Sequence, residues 1–247
     1  MLNSVQEQAS KPCAGALSRP LVSAGYCHRI RSADYRVVCS RPDEPGYQQA
    51  SSLVREVFHK TYDARCSHFL PLLLSFNTVS GPHGALGMKP ATNGSLYLEQ
   101  YLSKQVEQEI SQCFMKPVVR DQVVEIGNLV VRSSGTGQFM LAILGTILKQ
   151  AGLRYIVFTA TPQVQAMMQR LCWPTHAICA ADPGRLTDRE SHWGRYYETN
   201  PVVRVGDIEE ASEFLTDPYV RGLISPYSAL ITRVAQSLRA AVNPIGH

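Results

Sequence analysis

No apolar run in this chain reaches the roughly 20 residues that a helix needs to cross a bilayer. There is also no dense run of one charge. Lys and Arg number 24 against 20 Asp and Glu, a formal charge of +4, and this scattering argues against nucleic acid as a partner. The seven cysteines (Cys13, Cys27, Cys39, Cys66, Cys113, Cys172, Cys179) form no CxxC pair and no histidine spacing typical of zinc. Reduced thiols and no metal are therefore expected. Residues 1–25 are rich in Ser, Ala, Gln and Pro and lack the basic-then-apolar order of a secretory signal, so a cytoplasmic location is expected. What remains is ordinary for a soluble globular chain, with 45% hydrophobic and 18% charged residues.

At 247 residues the chain can build one large core. The reading divides it into a flexible arm over 1–32, a main domain over 33–210 and a helical extension over 211–247. Tyr35 to Cys39 reads as a strand, and Leu53, Val54, Val57 and Phe58 recur at helical period within 47–60. Leu70 to Thr78 and Ala85 to Ala91 flank the turn Ser80-Gly81-Pro82-His83-Gly84, which predicts a hairpin. A helix is expected near 103–114, a strand over 121–131, a helix of about four turns ending at Ala151-Gly152, a strand over 154–159 and a helix near 163–171. Residues 193–206 suggest two further strand segments. From Ser225, Leu230, Ile231, Val234 and Leu238 mark an amphipathic helix. Strands and helices alternate around one sheet, an α/β arrangement.

The segment Val123 to Val131 runs into Arg132-Ser133-Ser134-Gly135-Thr136-Gly137 and then an apolar helix. A glycine turn opening on a helix leaves unpaired amides at the positive end of the helix dipole, and a phosphate can dock there. Glu125 and Asn128 lie on the strand that feeds this loop, so an acid/base candidate neighbours the cradle. The competing reading of Gly135 and Gly137 is a plain turn and helix start.

Arg132-x-x-Gly135-x-Gly137 between strand and helix resembles the pyrophosphate loop of the GCN5-related N-acetyltransferase superfamily. That resemblance implies a mixed, mostly antiparallel sheet, splayed in the middle and flanked by helices. It also implies a pantetheine arm lying between the splayed strands, against Leu129, Val131, Arg132, Gly135, Thr136, Gly137, Gln138, Thr159 and Thr161. Glu99-Gln100-Tyr101-Leu102, Val124-Glu125-Ile126-Gly127-Asn128-Leu129, Val157-Phe158-Thr159-Ala160-Thr161, Ala180-Ala181-Asp182-Pro183-x-Arg185-Leu186 and Trp193-Gly194-x-Tyr196-Tyr197 resemble the thermostable hemolysin family over roughly residues 50–208. Gly87-Met88-Lys89-Pro90 through Val124-Glu125-x-x-Asn128 is similar to acyl-homoserine-lactone synthases, with Lys89 where those enzymes usually carry Arg. That similarity implies an acyl carrier protein, rather than free coenzyme A, as donor. The superfamily's helical Tyr acid is replaced here, because counting back from Cys172 puts Met168 near its position.

Together these readings predict an N-acyltransferase that moves an acyl group from a phosphopantetheine thioester to the amine of a small molecule or amino acid. Glu125 would accept the amine proton and Asn128 orient the acceptor. Lys89, Glu99, Trp193 and Tyr197 are candidates to line the acceptor pocket. The bland alternatives are an ion-paired Glu125, a helix-capping Glu99 and an aromatic core cluster. Lys89, Lys104, Lys116, Arg120, Lys149 and Arg154 are candidates to receive an acidic carrier at the cradle's mouth, or are simply solvated. A homodimer is compatible with the sequence. Two other functions stay open: a membrane-acting haemolytic protein, as the family name implies, and a fold that binds pantetheine without catalysis.

Overall fold

The structure is a computed structural model, and it describes residues 35–132, 135–187 and 192–242. The arm expected over 1–32 lies outside these residues, as do Ser133 and Ser134 of the glycine loop. Seven strands form one sheet: β1 (Arg36–Ser40), β2 (Leu72–Thr78), β3 (Gly81–Pro90), β4 (Val123–Val131), β5 (Tyr155–Ala160), β6 (His176–Ala180) and β7 (Val202–Asp207), in the order β1-β2-β3-β4-β5-β7-β6. All neighbours are antiparallel except β4 and β5. This is the mixed, mostly antiparallel sheet flanked by helices that is expected from the sequence.

Helices cover both faces. On one side α3 (Thr136–Ala151) is buried almost along its whole length, so its apolar residues run around the helix rather than down one stripe. It packs with α4 (Pro162–Arg170), α5 (Ser212–Thr216), α6 (Pro218–Ile224) and α7 (Ser228–Val242) over Val124, Ile126 and Ile156. The amphipathic face of α7 is spent here: Ile231, Val234 and Leu238 are buried against this core. No described helix is long and apolar enough to cross a membrane. On the opposite side α1 (Pro45–Tyr62) covers Leu73, Ala85 and Val130, and α2 (Val106–Phe114) covers Val123, Val157 and Val205.

Two irregularities in β4 create the site. The register to β5 runs from Val123↔Tyr155 to Ile126↔Phe158 and stops, although β4 continues to Val131 and β5 to Ala160. Beyond Ile126 the two strands part. On its other edge β4 carries a bulge, because Gly87 pairs with Gly127 and Ala85 with Val130, so two β4 residues oppose Leu86 alone. The bulge residue is Asn128, at φ 50, a conformation Asn tolerates better than most residues. One extra residue reverses the alternation of side chains. Val124 and Ile126 face α3, whereas after the bulge Val130 faces α1 and Leu129 turns to the α3 side.

Two sequence readings need correction. Residues 193–197 are not a strand. Gly194 sits at φ 50, and Tyr196–Thr199 form a 3-10 turn. The second late strand is instead β6, a short edge strand with little burial and hence little hydrophobic signal.

Candidate active site

Where β4 and β5 part, the sheet opens into a cavity of about 320 Å³. It is lined from both faces: Leu141, Leu144, Phe158 and Met168 belong to the α3 side, Phe58 and Tyr62 come from α1, and Tyr101 and Tyr197 belong to the α2 side. Of the sequence-derived candidates, Glu125, Asn128, Leu129, Val131, Thr159, Thr161, Trp193 and Tyr197 line it. Glu99 lies instead on a separate shallow surface with Lys104 and Arg120.

Glu125 is 4% exposed. Its Oε2 accepts the backbone N–H of Tyr97 at 2.8 Å and its Oε1 that of Leu98 at 2.9 Å. These amides open the 3-10 turn Tyr97–Tyr101. Burial pushes the carboxyl up to about 7, against the pull of the two amides and of Lys89. A carboxylate poised there is suited to accept protons at neutral pH. Lys89 stands opposite Glu125 in the register and donates to the Ser95 carbonyl at 2.5 Å.

Asn128 holds the backbone of the 68–70 segment. Its Oδ1 accepts the Leu70 N–H at 2.9 Å and its Nδ2 donates to the His68 carbonyl at 3.2 Å. Gly87 leaves room for this arrangement, since a Cβ there would lie 2.8 Å from Asn128 Oδ1. Glu99 is also committed. It accepts both forks of Arg120, at 2.7 and 2.9 Å, and the N–H groups of Leu96 and Val106. Burial opposes its charge, but these partners outweigh it and hold the carboxyl below its ordinary value. Glu99 thus closes the turn that carries Tyr97 and Leu98, the capping role weighed from sequence.

The start of α3 adjoins the cavity. Gly135 is the N-cap at φ 92, a backbone that favours glycine. A Cβ on Gly137 would lie 2.6 Å from Met167 Sδ and 3.5 Å from Val131 Cγ1, and both of those residues line the cavity. Thr136 Oγ1 is 2.8 Å from the Tyr35 hydroxyl, the Arg132 side chain pairs with Glu56 at 2.5 Å, and Gln138 is half-buried in the first turn of α3. Thr161 caps α4 through Val164 N, and Thr159 stands on β5 beyond the last pair with β4.

An aromatic wall lines the same cavity as Glu125. Phe58 stacks on Tyr196 (6.0 Å between centroids), Trp193 lies 5.4 Å from Tyr196 and 6.2 Å from Tyr97, and Tyr97 stacks on His68 at 4.4 Å. The Tyr101 and Tyr197 hydroxyls meet at 2.5 Å, and burial raises both. Among the described residues, Trp193 Nε1 is buried without a hydrogen-bond partner. The sequence pointed to Trp193, Tyr196 and Tyr197 but not to Phe58, Tyr62 and Tyr97, which join the wall only through tertiary packing. Gly194 seats this segment: a Cβ there would lie 2.1 Å from the Tyr62 carbonyl oxygen, and the backbone is at positive φ. Gly194→Ala should displace Trp193 and cost about 2–4 kcal/mol, read by calorimetry as a fall of about 5–10 °C in melting temperature. A fall under 2 °C would show that the segment adapts freely.

Burial pushes the Cys66 thiol up to about 12, in keeping with a protonated, structural cysteine. One other expectation is revised. The proposed carrier-docking residues do not gather at the cradle. Lys116, Arg120, Lys149 and Arg154 sit near the opposite ends of β4, β5 and α3, and there they pair with Asp207, Glu209, Glu99 and Glu107. Among the described residues no group of three His, Cys, Asp or Glu could hold a metal.

Residues 40–212 match the thermostable hemolysin family. The chain belongs to this family. No curated protein matches it in sequence. Among solved structures, the AHL synthase LasI is 12% identical, with 75% of this chain and 96% of LasI covered and a TM-score of 0.53. At that identity this family member shares the fold of LasI and nothing finer follows. Weaker likenesses include FeeM, an N-acyl amino acid synthase from uncultured soil microbes (12% identity, 74% and 96% covered, TM-score 0.46). Another is BjaI, a CoA-dependent acyl-homoserine lactone synthase with SAM and isopentyl-CoA (9% identity, 78% and 89% covered, TM-score 0.46).

Proposed function

We propose that the protein transfers an acyl group from a phosphopantetheine thioester to the amine of a small molecule. The carrying observation is one cavity that meets both faces of the sheet where β4 and β5 part, with a buried carboxylate on its wall and the glycine start of α3 beside it. An extended polar arm suits such an opening, because strand edges that have lost their ladder offer backbone donors and acceptors. In this reading Arg132, Gly135, Thr136, Gly137 and Gln138 would hold the donor's phosphates, and Leu129, Val131, Thr159 and Thr161 its arm.

The amine nitrogen attacks the thioester carbonyl. An acceptor arriving as an ammonium first gives one proton to the Glu125 carboxylate, which returns it to solvent after turnover. The C–N bond then forms, the C–S bond breaks, and the nitrogen's second proton passes through water to the departing thiolate. The apolar, buried Met168 on α4 supplies no proton. Asn128 acts in this scheme as a positioning residue, since its amide fixes the 68–70 backbone beside the cavity. Either coenzyme A or an acyl carrier protein can present the thioester.

The test offers acyl-CoA and acyl-carrier-protein thioesters of several chain lengths together with a panel of primary amines. Thiol and amide should appear in equal amounts. If no pairing releases thiol and no thioester binds, the reading is rejected; tight thioester binding with unaltered ligand would favour a non-catalytic role.

A further inference from the structure

We infer that the acyl acceptor is a cationic amine that carries no carboxylate, received as an ammonium between the aromatic wall and Glu125. This rests on the acyl-transfer reading and narrows its acceptor. The rings form a continuous surface from Phe58 through Tyr196 and Trp193 to Tyr97. These rings and Glu125 line the same cavity, and the Tyr97 backbone N–H donates to Glu125 Oε2. Among the described residues each Glu125 oxygen accepts one backbone N–H, and a carboxylate oxygen has a second lone pair that can accept a ligand N–H. Ring faces attract cations through their quadrupole, more strongly where water is excluded.

The same surroundings disfavour an amino acid. A carboxylate entering here would meet ring faces and a buried acid of like charge, both repulsive. Carboxylate recognition normally uses an Arg fork or a Lys, and among the described residues none of the side chains lining the cavity is Lys or Arg. The half of the cavity on the α3 side is apolar, with Leu141, Leu144 and Met168. This leaves the α1 side, which holds the rings and the acid, to receive the acceptor.

The test compares three molecules with one skeleton: 2-phenylethylamine, 2-phenylethanol and phenylalanine. An aliphatic set (isopentylamine, isopentanol, leucine) runs alongside, so ring size does not decide the result. Binding is read on the full chain by tryptophan emission. The chain has two tryptophans: Trp193 lines the cavity, and Trp173 is 1% exposed in the core. The amine should saturate at about one tenth of the alcohol's concentration, a factor equal to about 1.4 kcal/mol, and the amino acid should bind more weakly than the alcohol. Amino acid binding as tight as the amine's, an alcohol equal to the amine, or no binding by either set would overturn the inference. Turnover separates this from the underlying function. Thiol release with phenylalanine or leucine but not the amines would reject the acceptor class and keep acyl transfer. Selective amine binding with no thiol release from any donor would keep the amine site and count against acyl transfer.

Discussion

Glu125→Gln is expected to slow acyl transfer about 100- to 10,000-fold, the usual contribution of a positioned base, and to flatten the pH dependence of stability. Both effects follow from one buried carboxyl. Its pKa is about 7 in the folded chain and about 4.3 in an unfolded one. Between those values the folded state holds a proton that the unfolded state has released. Stability therefore falls as pH climbs from about 4.5 to 7 and stays at its lower level above, a loss on the order of 3 kcal/mol. Glutamine carries no proton to release. Calorimetry from pH 5 to 8 should show the wild-type melting temperature declining and the variant's nearly level. The wild-type rate should rise over the same interval as Glu125 ionises. Parallel melting curves would mean that Glu125 titrates like an exposed carboxyl, and unchanged turnover would remove it as the base.

The order of elements around this acid was largely legible in the sequence, because it depends on local signals. The turn between β2 and β3 carries Gly and Pro, α1 begins at Pro45, and the Gly135 and Gly152 ends of α3 frame an unmistakable apolar run. What failed was a segment whose shape is set from outside. Trp193 to Tyr197 contains β-prone aromatics, but Gly194 is pressed against the Tyr62 carbonyl and turns the chain out of strand geometry. Strand β6 was missed for the opposite reason. It lies at the edge of the sheet, half-exposed, so no alternation marks it. The site divides the same way. The Glu125 strand and the glycine loop are contiguous in the chain and could be read there. The aromatic wall unites residues 58, 62, 97, 193 and 196, and no local pattern encodes contacts so far apart. Asn128 shows an intermediate case: Gly127-Asn128 in a β run hints at a bulge, but its two bonds to the 68–70 backbone need the fold.

Arg120→Leu is expected to cost about 3–5 kcal/mol, because it strands two largely buried carboxylates. The Arg120 guanidinium reaches both oxygens of Glu99, Glu107 Oε2 at 2.8 Å, and the carbonyls of Ala91 and Gly94. Side-chain exposure is 27% for Arg120, 15% for Glu99 and 16% for Glu107, so solvent screens these pairs only weakly. The depressed Glu99 carboxyl gives the effect a pH signature. Its stabilising contribution is complete above the unfolded value of about 4.3 and is lost as pH falls through the lower folded value. Wild type should therefore lose melting temperature steeply in acid, whereas Arg120→Leu should start lower and decline less. Arg120→Lys should recover part of the loss, since it restores the charge without the bidentate fork. The consequence for catalysis runs through the 3-10 turn. Glu99 and Arg120 fix that turn, and its first two amides hold Glu125. If those amides loosen, Glu125 loses the donors that favour its charged form, and the midpoint of the rate profile should move upward from about 7. A stability loss with an unmoved midpoint would confine Arg120 to holding the fold. A shifted midpoint would make it a positioning residue for the base.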